Sequence, residues 1–373
     1  MDALMLPLNW QKVRLGDIGK PCMCKRVMKH QTTRYGEIPF YKIGTFGNTA
    51  DAFISKKLFL EYKTKYSFPK KGDILISASG TIGRAVIYDG KPAYFQDSNI
   101  VWIDNDETLV KNDFLFYAYS NVKWNTEHTT ILRLYNDNFR NTLIPLPPLN
   151  EQSAIANILS GLDRYLCALD ALILKKEGVK KALSFELLSQ RKRLKGFNQA
   201  WQKVRLGDIA NYLTSNLSAE QITQQGKIKV YDVNNFIGYT DTTFISDKPY
   251  ISIVKDGSVG RVRILPPKTN ILSTMGALIA NHRTTTEFLF YLLSNFDFKN
   301  FTSGSIIPHI YFKDYKEKTI FLPPLNEQSA IANILSDLDN EITSLKNKKR
   351  QFENIKKALN HDLMSAKIRV LKK

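Results

Sequence analysis

Two short segments combine glycines with an arginine in the way that contacts to a nucleic acid require. They are Ser79-Gly80-Thr81-Ile82-Gly83-Arg84 and Asp256-Gly257-Ser258-Val259-Gly260-Arg261. Glycine lets the backbone approach a phosphate closely, and a neighbouring arginine can bond a phosphate or a guanine with two N–H groups. The predicted contact residues are Ser79, Thr81, Arg84, Ser258 and Arg261. Because ordinary β-turns use the same glycine spacing, a purely structural turn is the alternative.

Further polar and aromatic residues have the chemistry of a groove-reading surface. Asn, Gln, Ser and Arg read base edges, while Tyr and Lys hold the DNA backbone. Such residues occur after two predicted strands and in two loops, 133–138 and 303–311. The residues predicted to contact DNA here are Tyr41, Lys42, Arg133, Asn136, Tyr231, Ser303, His309 and Tyr311. For any one of them, ordinary loop polarity is the alternative.

Signatures of catalysis are absent from the sequence. It contains no phosphate-binding G-x-x-x-x-G-K-[ST], no G-x-G-x-x-G after a strand, no H-E-x-x-H, no G-x-S-x-G and no Asn-Pro-Pro-aromatic motif. Cys22, Cys24 and Cys167 cannot form a disulfide framework, and Cys22-x-Cys24 near His30 lacks the spacing and the fourth ligand of a zinc site. We therefore predict no catalytic residue and no metal site in this chain.

The charge of the chain favours a polyanionic partner. The formal net charge is +18, and basic surfaces gain free energy by releasing counterions from nucleic acid. Residues 175–195 hold eight Lys or Arg against two Glu, and residues 341–373 hold ten against three acids. Since these two segments carry most of the excess, a solvated basic helix face is the alternative. The sequence has no run of 18 apolar residues and no signal-peptide pattern at its start, so we expect a cytoplasmic protein without membrane contact.

The sequence is an internal repeat. WQKVRLGDI at 10–18 recurs at 201–209, and LPPLNEQSAIANILS at 146–160 recurs at 322–336. The first motif recurs after 191 residues (201 minus 10) and the second after 176 (327 minus 151), so a fixed frame surrounds an insert that is longer in the first half. A period of nearly half the chain indicates a duplicated domain rather than a solenoid.

A long amphipathic helix follows each insert. Pro147-Pro148 and Pro323-Pro324 end the preceding structure, Asn150 and Asn326 can cap, and an acid follows in the first turn. The apolar residues repeat as heptads over about 40 residues, or about 60 Å at 1.5 Å per residue. We predict that the two helices pack on each other and present a partner surface. The residues predicted for this role are Glu151, Gln152, Ile155, Leu159, Leu162, Leu166, Leu169, Glu327, Gln328, Ile331, Leu335, Leu338, Ile342, Leu345 and Phe352.

The inserts are rich in short β-forming runs, and each also has a short apolar helix. The predicted strands are 73–77, 84–88, 100–103, 250–254 and 261–265, and the predicted helices are 114–121 and 288–295. The predicted fold class is therefore α+β, with two mixed α/β domains on β-sheet cores, separated by two long antiparallel coiled-coil helices in a pseudo-two-fold repeat. The predicted segments are 1–149, 150–195, 196–325 and 326–373.

These features together resemble the specificity subunit of type I restriction-modification systems. The resemblance covers the whole chain and depends on the two repeated motifs, on GDILISASGTIGR at 72–84 and on Lys367-Ile368-Arg369-Val370. It implies two target-recognition domains, each reading one half of a gapped, asymmetric DNA sequence, and helices that act as spacer and docking site for two modification subunits. In the second domain, residues 250–265 keep the pattern of apolar residues and glycines seen in GDILISASGTIGR, but most of the individual residues differ.

The resemblance also implies where the chemistry resides. S-adenosylmethionine, ATP and Mg²⁺ would belong to partner subunits, with methyl transfer in the modification subunits and ATP-driven translocation and cleavage in restriction subunits. The chain itself would need no cofactor and would be non-catalytic. The alternative is an orphan coiled-coil interaction or scaffold protein without retained DNA specificity.

Overall fold

The computed structural model describes residue 7, residues 9–128 and residues 132–370. Its packing divides the chain into two compact units, one made of Met1–Leu169 with Lys348–Lys373 and one made of Asp170–Asn347. Each unit contains one sheet domain, the first part of the helix that follows it and the last part of the other long helix. The four predicted segments, 1–149, 150–195, 196–325 and 326–373, describe the order along the chain, whereas the units describe what packs together.

The first unit is built on a four-stranded and a three-stranded sheet. Its strands are β1 Gln11–Arg14, β2 Gly19–Met23, β3 Ile38–Tyr41, β4 Phe53–Ile54, β5 Ile74–Ser77, β6 Ala85–Ile87, β7 Tyr94–Phe95, β8 Ile100–Asn105, β9 Glu127–His128, β10 Leu132–Arg133 and β11 Leu143–Leu146. The four-stranded sheet is antiparallel with the order β2-β8-β5-β6. The other has the order β4-β3-β7, in which β3 and β7 are parallel. Two further antiparallel pairs are β1 with β11 and β9 with β10.

The helices of the first unit are short until the chain leaves the sheets. They are α1 Leu15–Ile18, α2 Lys56–Lys65, α3 Asn112–Tyr119, α4 Asn136–Asn141 and the start of α5 Leu149–Leu188. Every residue of β5 is buried because both faces of its sheet are covered. Ile74 and Ile76 join the core that holds α3, while Leu75, which points to the opposite face, joins the core that holds Phe59 of α2.

The second unit repeats the same arrangement. Its strands are β12 Gln202–Arg205, β13 Ala210–Thr214, β14 Ile228–Tyr231, β15 Phe236–Thr240, β16 Tyr250–Val254, β17 Val262–Leu265, β18 Asn270–Ile271, β19 Met275–Ala280, β20 Thr302–Ser303, β21 His309–Ile310 and β22 Thr319–Leu322. The sheets have the orders β13-β19-β16-β17 and β15-β14-β18, and the pairs β12 with β22 and β20 with β21 complete the set. The helices are α6 Thr286–Ser294, α7 Phe312–Tyr315 and α8 Leu325–Met364.

The sequence-based elements agree with this structure. Each predicted strand and short helix is found with its ends within two residues of the expected positions. Both long helices have 40 residues, as expected, and begin two residues before the predicted acids. The predicted fold class, two mixed α/β domains with long helices, is confirmed. In the part of the chain that the structure describes, no helix is long and apolar enough to cross a membrane.

The two repeated sequence motifs meet in space and fix each helix to its sheet domain. In the first unit β1 pairs with β11, and the indole N–H of Trp10 donates to Glu151 Oε2 at 3.0 Å. Arg369, near the chain end, donates to both oxygens of the same carboxylate at 2.6 and 2.8 Å. Gln152 bonds the backbone at Leu109, Lys111 and Pro147. The first turn of α5 is therefore anchored from three sides.

The second unit contains the matching anchor. Trp201 donates to Glu327 Oε2 at 2.9 Å, and Arg193 donates to both oxygens of Glu327 at 3.1 and 2.6 Å. Gln328 accepts from Thr284 and Thr285 and donates to backbone carbonyls. The residues Glu151, Gln152, Glu327 and Gln328, predicted for the helix or partner surface, are all buried inside their units. They fasten each helix and are not accessible to another protein.

Within each unit the two helical segments run antiparallel and share matched polar contacts. Lys180 of α5 forms an ion pair with Asp339 of α8 at 2.5 Å in the second unit, and Lys356 pairs with Asp163 in the first. Tyr291 and Tyr117 donate to the same two aspartates, and burial followed by these hydrogen bonds raises the pKa of both tyrosines. Lys180 and Lys356 are equivalent residues of the repeat, 176 positions apart, and so are Asp163 and Asp339, so both units join their helical segments by the same ion pair.

The apolar heptad residues line these helical segments. Six of them are buried, namely Ile155, Leu159, Leu169, Ile331, Leu335 and Ile342. The others are half-buried, namely Leu162, Leu166, Leu338, Leu345 and Phe352. Those in the first turns of each helix also complete the domain cores, because Ile155 and Leu159 cluster with Phe114 of α3. The apolar residues therefore join helix to domain as well as helix to helix.

Candidate DNA interface

The glycine turns connect the last two strands of the four-stranded sheets, β5 with β6 and β16 with β17. In the first unit Ser77 Oγ accepts from the Arg84 backbone N–H at 2.9 Å and donates to the Thr81 carbonyl. Gly83 and Gly260 have positive φ, and a Cβ there would lie 2.0 Å from Trp124 and 2.6 Å from Phe298. The second glycine of each turn is thus explained by packing on an aromatic ring.

The arginine that ends each turn is exposed and bonds an asparagine of a neighbouring loop. Arg84 Nη2 donates to Gly47 O at 3.3 Å and to Asn48 Oδ1 at 3.4 Å. Arg261 Nη2 donates to Asn234 Oδ1 at 3.0 Å. Both asparagines lie in the loop that leaves the central strand of the three-stranded sheet. The same type of Arg–Asn pairing therefore occurs in both units.

The residues at the ends of these central strands are partly engaged within the protein. Tyr41 stacks on Phe95 with ring centroids 5.8 Å apart, and Lys42 forms an ion pair with Asp51 at 2.8 Å that lowers the pKa of Asp51. The guanidinium of Arg263 lies over the ring of Tyr231, with Arg263 Cζ 5.3 Å from the ring centroid. The orientation of Tyr41, Lys42 and Tyr231 is therefore set by neighbouring side chains of the protein itself.

A third loop meets each turn through an isolated β-bridge. The bridges pair Ser79 with Arg133 in the first unit and Asp256 with His309 in the second. Arg133 Nη2 donates to Ser98 Oγ at 2.8 Å and to Asn99 Oδ1 at 3.4 Å, and the buried Ser79 hydroxyl also bonds Asn99. Ser79 is thus a framework residue, and Arg133 is half-buried with its guanidinium bonded to Ser98 and Asn99.

The remaining predicted contact residues are exposed on the glycine turns or close to the bridged strands β10 and β21. They are Thr81, Asn136, Ser258, Ser303 and Tyr311. Sequence reasoning missed the asparagines that hold the arginines and also missed Ile306, whose side chain is 92% exposed at the tip of the β20–β21 hairpin. Exposed apolar groups can contact thymine methyl groups or base steps. An isoleucine in a polar loop was the available signal for this residue.

Much of the positive charge in the helical segments is neutralised inside each unit. Lys176 pairs with Glu341 and Lys346 pairs with Glu177. Beyond the helix ends, Arg193 pairs with Glu327 and Arg369 with Glu151. Within the described ranges no group of three or more His, Cys, Asp or Glu side chains is placed to hold a metal ion. The three cysteines are free thiols.

In each unit, three loops of the same topological origin thus place an exposed arginine among polar and aromatic side chains. The family described as Type I restriction modification DNA specificity domain matches residues 7–176 and 198–354. The chain belongs to this family and carries its domain twice. This membership favours DNA specificity over the alternative of a scaffold without it.

Individual relatives agree with the family. A Haemophilus influenzae protein assigned as a type I restriction enzyme specificity subunit is 64% identical over 148 residues, which are 39% of this chain and 38% of that relative. The type I restriction enzyme MjaVIII specificity subunit of Methanocaldococcus jannaschii is 25% identical across 99% of this chain and 95% of its own. A crystal structure of the S subunit of a type I system from M. genitalium matches 96% of this chain and 98% of its own with a TM-score of 0.63 at 20% identity. This last match supports the fold.

Proposed function

We propose that each unit reads one half of a gapped, asymmetric duplex target through three loops. These are the glycine turn, the loop that follows the central strand of the three-stranded sheet, and the loop that is bridged to the turn. The observation that carries this proposal is the combination of one framework with two sets of surface residues. The Arg–Asn pairs recur in both units, whereas the bridged positions hold Ser79 and Arg133 in one and Asp256 and His309 in the other. Shared geometry with different side chains supports two different half-sites, because base readout depends on the donor and acceptor groups presented.

Alanine substitution of the two arginines tests this division. We expect Arg84→Ala to weaken preference for the first half-site only and Arg261→Ala for the second only, each by about 1–3 kcal/mol. Binding sequences would be selected from random duplexes with the full chain, alone and with modification subunits, and affinities measured on duplexes with one half-site scrambled. Arg205→Ala, on the separate β12–β22 pair, is the control and should leave both preferences intact. Equal loss on every sequence would reduce the arginines to phosphate contacts.

The helices supply the proposed docking sites for two modification subunits. Val179 and Ile355 occupy equivalent positions of the repeat, 176 residues apart, and both remain apolar and exposed by 40% and 50%. Leu149 and Leu325 form a second equivalent exposed pair. An apolar side chain retained at the surface in both repeats fits two copies of one partner, one on each unit.

Charged substitutions at the equivalent apolar positions test the docking proposal. Val179→Asp and Ile355→Asp are each expected to weaken one of two binding events at least about tenfold, and the double variant both. Native mass spectrometry of the chain mixed with its modification subunit would count the bound copies. Asn157→Asp and Asn333→Asp are matched controls at exposed polar positions of the same helices. Two bound copies in the double variant would place docking elsewhere.

We further propose that the chain is non-catalytic and needs no cofactor of its own. S-adenosylmethionine, ATP and Mg²⁺ would then be bound by the modification and restriction subunits, and the complex would act on DNA in the cytoplasm. The lack of catalytic signature motifs in the sequence supports this division of labour. Metal-dependent cleavage of plasmid by the purified chain, abolished by a point substitution, would contradict it.

A further inference from the structure

The β-bridge between the glycine turn and the third loop joins residues with different side chains in the two units. Ser79 and Asp256 are equivalent residues of the two turns, and their bridge partners are Arg133 and His309. The first unit therefore places a permanent cation at this position, since arginine stays protonated at any physiological pH. The second unit places a histidine there, and histidine is the side chain whose charge changes between pH 5 and 8.

Asp256 fixes the orientation of the imidazole. His309 Nδ1 lies 2.7 Å from Asp256 Oδ1. Because an ionised carboxylate only accepts hydrogen bonds, Nδ1 carries the hydrogen, which leaves Nε2 as the ring atom available to another molecule. The two side chains are 36% and 31% exposed, so the pair is half-buried at the loop edge and still reachable.

The groups around His309 define the local charge. Tyr311 stacks against its ring with centroids 6.5 Å apart, and Lys313 lies 5.5 Å from the Tyr311 centroid. On the turn, Lys255 accepts a backbone hydrogen bond from Ile310. Tyr212 of β13 lies close enough to Asp256 that burial and then this carboxylate raise the tyrosine's pKa. Asp256 is therefore the acid that faces the imidazole directly.

We propose that His309 is a specificity-determining residue for the second half-site, which donates from Nε2 to a base acceptor as an imidazolium, with Asp256 as its positioning residue. This inference rests on the proposed function. When His309 is protonated the pair is neutral, and when it is not the pair is an anion that repels the DNA backbone. Recognition of the second half-site then weakens as pH rises, whereas Arg133 keeps recognition of the first half-site constant.

The test compares half-site preferences of the full chain at pH 6 and pH 8 and at constant ionic strength. Preference is the ratio of affinities for the selected duplex and for a duplex with one half-site scrambled. We expect the preference for the second half-site to fall roughly tenfold over this range, the scale of one hydrogen bond from a charged donor. Preference for the first should not change.

Variants separate readout from structure. His309→Arg should make the second half-site independent of pH, and His309→Gln should give the low preference at both pH values. His282→Arg, an exposed histidine elsewhere in the second unit, should keep the pH dependence of the unmodified chain. A second half-site preference that is unchanged between pH 6 and 8 would overturn this inference alone. Absence of any half-site preference at either pH would overturn the proposed function and the inference together.

Discussion

Arg193→Met is expected to lower the free energy of unfolding of the second unit by about 3–5 kcal/mol. The Glu327 side chain is completely buried and accepts two hydrogen bonds from Arg193 and one from Trp201. Without the guanidinium the carboxylate keeps one neutral donor and remains a desolvated charge. Because Glu327 lies in the first turn of α8, the loss should release the helix start together with the β12–β22 pair.

Hydrogen exchange measured by mass spectrometry would locate this loss. Amides of residues 202–209 and 319–335 should exchange faster in Arg193→Met, while those of the first unit should keep their protection. Arg191→Met is the matched control, because Arg191 is an exposed arginine two residues away that lies over the Phe185 ring. Removing both charges with Arg193→Met and Glu327→Gln should recover part of the stability. Unchanged exchange in Arg193→Met would mean that the buried carboxylate has another compensating partner.

The anchor around Glu327 was only partly predictable from the sequence. Trp201 and Glu327 belong to motifs that recur letter for letter, so a structural frame could be predicted from them. Their contact could not, because they are 126 residues apart and nothing local fixes such a distance. In the sequence, Arg193 is one of eight basic residues in the segment 175–195. In the structure, Glu327 neutralises its charge inside the unit.

The candidate interface was predictable in its location and less so in its contacts. Apolar runs and glycine turns identify strands because burial and turn geometry act over a few residues. The partners of exposed side chains depend on how separate loops meet. Lys42 pairs with Asp51, and Ser79 turns inward to Asn99, so one predicted contact residue is partly neutralised and another is buried. The roles of these residues in DNA binding remain predictions.

Gly83→Ala and Gly260→Ala are expected to destabilise their own units by about 2–5 kcal/mol. A left-handed backbone costs a side chain about 1–2 kcal/mol, and forcing a methyl group into a packed site costs about 1–3 kcal/mol more. Gly83 has φ of +83° and faces Trp124, while Gly260 has φ of +80° and faces Phe298. The methyl group would push the aromatic ring away from the turn and displace the adjacent arginine.

The first glycines of the same turns provide the control for backbone strain alone. Gly257 has φ of +83°, and a methyl group added there would meet no described atom within 4 Å. Gly80 has φ of +65°, and a methyl group there would make only an ordinary contact with Ile43. Gly257→Ala and Gly80→Ala should therefore cost only the left-handed term, about 1–2 kcal/mol. Urea denaturation of the four variants would separate the two contributions. If the second glycines proved no more sensitive than the first, the aromatic contact would not hold the turn, and close approach to a phosphate would become the better explanation for these glycines.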